Sequence, residues 1–177
     1  MTYEYAEYFK LLLICGYSEE LWNYVDNALS EQDTLSDIIL ELSSIGRDDN
    51  KALSVINGYL QNADRFDINH DDKVFKLMVA FLKRQYDGNF MSLKELADLI
   101  YKISVSTEKH LDDPWYQMFM FGSFYDDAEA GCLSMDDYKR EFDLFINGKE
   151  SGVDYLDFPP VKKKKTIFQK ISEKLKK

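Results

Sequence analysis

Apolar residues in this chain recur mostly at spacings of three and four, the period of a helix that turns one face to a core, and rarely in the alternation of a strand. Residues 3–14 form the first such run, and Gly16 stands just past it, where a helix can end in a left-handed residue. Ser18 is placed to cap a helix through about Leu29, with Leu21, Trp22, Val25 and Leu29 as its apolar stripe. Thr34 and Asp37 have the spacing of a capping box ahead of IILELSSIG, which stops at Gly46. Asp48 or Asp49 can cap the next helix, which carries Leu53, Ile56, Tyr59 and Leu60 on one face. Asp71 or Asp72 opens KVFKLMVAFLKRQY, a run that ends before Gly88 and is apolar around most of its circumference, as a central, buried helix is.

Ser92 and Glu95 make a second capping box. Asp113 is placed as a cap with Pro114 at the first helical position, and Gly131 is placed to stop the helix that follows. Ser134 and Asp137 open the last helix, which ends before Gly148. The pattern therefore predicts an all-α fold of about eight helices, each of about 11–18 residues, joined by short loops. They would form a bundle or a short array of antiparallel helix pairs.

The pattern changes after residue 148. Residues 149–161 include Asp157-Phe158-Pro159-Pro160 and read as an extended linker. Residues 162–177, KKKKTIFQKISEKLKK, place Ile167, Phe168, Ile171 and Leu175 at helical spacing among lysines, as a basic amphipathic tail does. The organisation expected is an acidic helical domain over 1–148, a linker over 149–161 and a basic tail over 162–177.

Charge sharpens that division. The formal net charge is −10, and because residues 162–177 hold eight Lys and one Glu, net +7, residues 1–161 carry −17. So acidic a body repels nucleic acid and anionic lipid and attracts basic proteins, whereas the tail has the opposite preferences. Hydrophobic residues at 45% and aromatics at 15% supply a core that a disordered chain lacks. Cys15 and Cys132 are too few for a disulfide scaffold or a four-cysteine zinc site, and a reduced, cytoplasmic protein is expected. KLLLICG, Lys10 to Gly16, has the look of a lipoprotein signal, but Glu4 and Glu7 precede it where cations belong, so it reads as a core helix. No apolar run approaches the roughly 18 residues of a membrane span.

Catalytic and metal chemistry find little support. His70 and His110 lack a second histidine at metal-ligand spacing and read as surface residues. DINHDDKVFKLM puts Asp67, Asn69 and Asp71 at the first, third and fifth positions of a calcium loop. Asp72 then stands where glycine is needed, and Met78 where the bidentate glutamate is needed. There is no glycine-rich phosphate loop and no nucleophile elbow. No catalytic residue, metal site or cofactor is expected.

Eight of the eleven residues from Trp115 to Tyr125 are aromatic or Met. Wound into a helix, they cover nearly the whole cylinder, with Trp115, Met118, Phe119, Gly122 and, farther on, Ala130 trending to one side, and Gly122 admits a close neighbour. Acids bracket the stretch. Asp112 and Asp113 lie at its start, where the helix dipole favours them, and Asp126, Asp127 and Glu129 at its end, where it does not. Either Lys139 or Arg140 neutralises the second group, or a basic ligand does. With Tyr125, Asp136 and Asp137 close by in sequence, the candidate partner-binding residues are Asp112, Asp113, Tyr125, Asp126, Asp127, Glu129, Asp136 and Asp137.

Three segments carry a family resemblance: LSDIILELSSIGRDD (Leu35–Asp49), DKVFKLMVAFLKRQYDGNF (Asp72–Phe90) and WYQMFMFGSFYDDAEAGCLSMDDYKREFDLFI (Trp115–Ile146). In their order, and in the sequence of aromatic helix, acidic end, glycine turn and capped final helix, the chain resembles small bacterial all-helical immunity proteins of polymorphic-toxin systems of the contact-dependent inhibition type. The likeness spans about residues 18–148, and the basic tail lies outside it. It implies a non-catalytic cytoplasmic protein that binds and neutralises one cognate toxin, a nuclease-type domain being a basic partner suited to this charge. Two alternatives stand beside it: a helical adaptor that uses residues 162–177 to dock on a membrane surface or an acidic partner, and a DNA-mimic inhibitor.

Overall fold

The computed structural model describes residues 1–63 and 69–149, and the linker and tail expected over 149–161 and 162–177 lie outside these residues from 150 onward. Eight α-helices and no strands are found among the described residues: α1 (Tyr3–Cys15), α2 (Glu19–Glu31), α3 (Asp37–Ser44), α4 (Asp49–Asn62), α5 (His70–Asp87), α6 (Leu93–Ser106), α7 (Trp115–Glu129) and α8 (Met135–Ile146). The all-helical expectation is met, with α3, at eight residues, shorter than anticipated.

Helix ends follow their local chemistry. Gly16, Gly46, Gly131 and Gly148 adopt positive φ just past α1, α3, α7 and α8, a conformation that a Cβ penalises. Asp48 accepts from the Asn50 and Lys51 amides, Ser134 accepts from the Asp137 amide, and Ser92 with Glu95 closes a full capping box.

Four expected starts take a different form. α5 begins at His70, so that Asn69 holds the cap position and Asp71 and Asp72 lie inside the first turn. Ser18 sits at the N-cap of α2 in helical backbone geometry and makes no side-chain capping bond. Thr34 forms no box with Asp37, because α3 begins at Asp37 itself, with Ser36 in the cap position. Asp113 does not cap α7: the helix starts at Trp115, after Pro114, and the Tyr116 amide donates to the Asp112 carbonyl.

One helix organises the packing. α1 lies against α4, α5 and α6, which makes the assembly a bundle closed around α1 rather than a row of successive pairs. Ala6, Phe9 and Leu12 of α1 are fully buried. The closest pair is α6 with α7, antiparallel, since Lys94 meets Glu129 at one end and Tyr101 meets Phe119 farther along. α8 packs on α7 and α5, where Phe121, Tyr138, Phe142 and Phe145 form a buried aromatic nest and Tyr138 donates to the Phe121 carbonyl at 3.1 Å. α5 is less enclosed than its composition implies. It buries Val74, Met78, Phe81 and Leu82 and leaves Lys73, Lys76 and Arg84 outside. On α2 the buried stripe ends at Ala28, and Leu29 is exposed, because a wheel step of one residue turns it away from the core. No helix among the described residues is long and apolar enough to cross a membrane.

Candidate binding surface

Only one side of the apolar stretch of α7 is core. Trp115, Met118, Phe121 and Gly122 are buried, whereas Tyr116, Met120, Phe124 and Tyr125 are half-buried. Of the residues expected beside the buried ones, Phe119 is half-buried at the edge facing α6 and Ala130, past the end of the helix, is exposed. Sequence periodicity could not rank Phe119 against Phe121, because apolar residues cover both sides of the cylinder.

The fold separates the expected binding residues into two groups. Asp112 and Asp113 are exposed ahead of the first turn of α7. Tyr125, Asp126, Asp127 and Glu129 occupy its last turns, about 20 Å away at 1.5 Å rise per residue. Gly131 and the tight turn after it fold the chain back, so that Asp136 and Asp137 in the first turn of α8 join this second group. The turn is closed by the Cys132 and Leu133 amides, both donating to the Asp127 carbonyl. The Tyr125 ring meets Tyr138 edge-on at 5.6 Å between centroids, which fastens the corner to the aromatic nest. Burial first, then the neighbouring Tyr125 and Asp126, holds the Tyr138 hydroxyl well above the usual tyrosine range.

Within this corner the carboxylates differ in their partners. Glu129 pairs with Lys94 of α6 at 3.1 Å, rather than with Lys139 or Arg140 as expected. Arg140 serves its own helix, reaching Asp137 at 2.6 Å and Glu141 at 3.2 Å. Glu129 thus projects toward α6, whereas Tyr125 on the same end of α7 meets α8. Asp126, Asp127 and Asp136 are exposed and have neither an ion pair nor a side-chain hydrogen bond among the described residues. Asp136 gains from the dipole of α8, whereas each acid in the last turn of α7 costs about 0.3–1 kcal/mol.

Sequence reasoning missed a second ionic cluster. His70, expected at the surface, is half-buried: its Nε2 lies 2.8 Å from Glu7 and 3.3 Å from Asp71, and Tyr3 packs edge-on against its ring. Lys109 Nζ reaches both Asp71 oxygens at 2.8 Å, and Lys73 reaches Glu4 at 3.3 Å. The cluster ties α1, α5 and the α6–α7 loop together. The signal for it was Glu4 and Glu7 on one helix and His70 and Lys73 on another, each pair three apart. Nothing local says that α1 and α5 run side by side. His110, also expected at the surface, is half-buried against the Phe119 ring.

Two surface grooves complete the description. One, about 480 Å³, lies between α3 and α4 and includes Asp37, Glu41, Val55 and Tyr59 in its walls. The other, about 470 Å³, lies where the α1–α2 and α5–α6 turns meet, with Tyr17, Glu19, Phe81 and Met91 among its walls. Among the described residues no group of three or more His, Cys, Asp or Glu is arranged to hold a metal ion; Asp67 of the calcium-like stretch lies outside them. Compared with protein-family models, with curated proteins and with solved structures, the chain matches none.

Proposed function

We propose that this chain is a non-catalytic binding protein of the immunity type, which neutralises a basic toxin domain by contact through the α7–α8 corner. The observation that carries the reading is the set of uncompensated carboxylates at that corner. Asp126, Asp127 and Asp136 stand exposed and unpaired on a rigid, aromatic-backed turn. They belong to a body of residues 1–161 that carries −17 once the +7 of residues 162–177 is set against the −10 of the whole. Unneutralised acids at a helix C-terminus lower stability, so a compensating partner gives them a reason. A nuclease domain must present cations to phosphate, and an acidic surface gains association rate by steering and then occupies the phosphate path. Asp112 and Asp113, at the far end of α7, contribute to the long-range field and not to the same contact. The resemblance in pattern to bacterial immunity proteins supports the same reading.

The test is a binding measurement with the polypeptide encoded beside this one, a secreted protein with a variable C-terminal domain being the expected neighbour. A one-to-one complex is expected, with an association rate that falls steeply as salt rises. Asp126→Asn, Asp127→Asn and Asp136→Asn combined should weaken binding at least tenfold, mostly through association. Unchanged affinity for the triple variant would remove the α7–α8 corner from the reading.

A further inference from the structure

On the outer side of the α6–α7 pair an apolar strip lies uncovered. Tyr101 and Val105, one turn apart on α6, are exposed. The Tyr101 ring meets Phe119 at 5.4 Å, and Phe119 meets His110 at 5.2 Å. Leu111, next in the chain, is 70% exposed. Scattered apolar residues on a surface are ordinary, but a contiguous strip calls for an occupant.

The strip's charged surroundings say what kind. Asp98 on α6 and Glu108, Asp112 and Asp113 in the α6–α7 loop stand exposed, without an ion pair among the described residues. The lysines interleaved with them have partners of their own: Lys94 pairs with Glu129 while also feeling the Asp98 charge one turn along α6, Lys102 reaches the Cys15 carbonyl at 3.2 Å, and Lys109 reaches Asp71. The complement of such a face is an apolar stripe flanked by cations. Residues 162–177 have that composition, with Ile167, Phe168, Ile171 and Leu175 at helical spacing among eight lysines and one glutamate.

We infer that residues 162–177 of this same chain dock on the outer face of α6–α7, their apolar positions on the Tyr101–Phe119 strip and their lysines toward the surrounding acids. The tether allows it. Residues 150–161 can span up to about 40 Å when extended, about the diameter of a globular chain of this size. Covalent attachment also holds the segment at a millimolar effective concentration. The groove beside Phe81 offers less charge, because its Glu20 already pairs with Arg84 at 2.8 Å. This contact needs no second protein and stands apart from the α7–α8 corner, so its fate is independent of the proposed function.

The experiment compares amide spectra of two full-length chains, the native one and one with Ile167→Ser, Phe168→Ser, Ile171→Ser and Leu175→Ser. The second keeps every lysine and alters nothing in the helical body. Docking predicts shift differences concentrated at Asp98, Tyr101, Val105 and Leu111, unchanged on dilution and largely lost in about 1 M salt, where screening acts within about 3 Å. A third chain, with Asp98→Asn, Asp112→Asn and Asp113→Asn, should lose the same contact while keeping its apolar strip. Superimposable spectra, differences centred on another surface, or differences that fade on dilution as contacts between two copies do, would each overturn the inference.

Discussion

At Gly122 an added methyl group would stand 2.5 Å from Tyr101 Cβ and 2.9 Å from Tyr101 Cα. Both are atoms that α6 cannot move without moving itself. Alanine there recovers about 1 kcal/mol of helix propensity but forces the closest helix pair apart, and such overpacking costs about 1–3 kcal/mol. Gly122→Ala should therefore destabilise the chain in denaturant titration. Gly58, in the middle of α4, has nothing within 4 Å of the same added atom. Gly58→Ala should stabilise by about 0.5–1 kcal/mol, so the two identical substitutions should differ in sign. The close approach at Gly122 was legible in the sequence as a glycine in an aromatic helix. That Tyr101 is the neighbour was not, because residue spacing along α7 carries no information about which helix it meets.

The same division between local and distant information holds for the helices. Ser92 and Ser18 look alike as caps in the sequence, yet only Ser92 uses its side chain. Ser92→Ala should cost about 1 kcal/mol, whereas Ser18→Ala should fall within the few tenths typical of surface changes. Equal losses would mean that the α2 terminus has been misread. Glycine stops, the capped starts of α4, α6 and α8 and the existence of all eight helices rest on interactions within four residues, and the sequence pattern conveys them. The start of α7 lies at a proline, and the start of α3 at a run of small polar residues with several possible caps. There the local signals compete and the boundary moved. The candidate binding residues were partly legible for the same reason. The turn at Gly131 joins Asp126 to Asp136 through short-range geometry. The pairing of Glu129 with Lys94 depends on helix order, which one sequence does not display.

Across the whole molecule the tyrosines set an upper limit of pH. Burial, reinforced at Tyr8 by Glu20, holds the Tyr8 and Tyr138 hydroxyls well above the usual range, and a hydrogen bond donated to Asp143 at 2.6 Å pushes Tyr86 up to about 12. Folding thus favours the protonated phenols over the ionised ones. Their contribution is whole below about pH 9, where a free tyrosine with its pKa of about 10 begins to ionise, and drains away as pH rises from there toward 12 and beyond. Stability measured by chemical denaturation should be flat between about pH 7 and 9 and decline above about pH 10. Tyr86→Phe should soften that decline. A curve that stays flat to about pH 12 would show that these phenols ionise as easily in the fold as outside it.

The central position of α1 has a consequence for how the molecule is made. α1 leaves the ribosome well ahead of the helices that cover it, α4 to α6, which are complete only once Ser106 has followed. During synthesis at about 5–20 residues per second, Phe9, Leu11 and Leu12 therefore spend several seconds without their permanent neighbours. A nascent chain arrested before α6 should be a client of chaperones that grip apolar segments, and one arrested beyond it should be released.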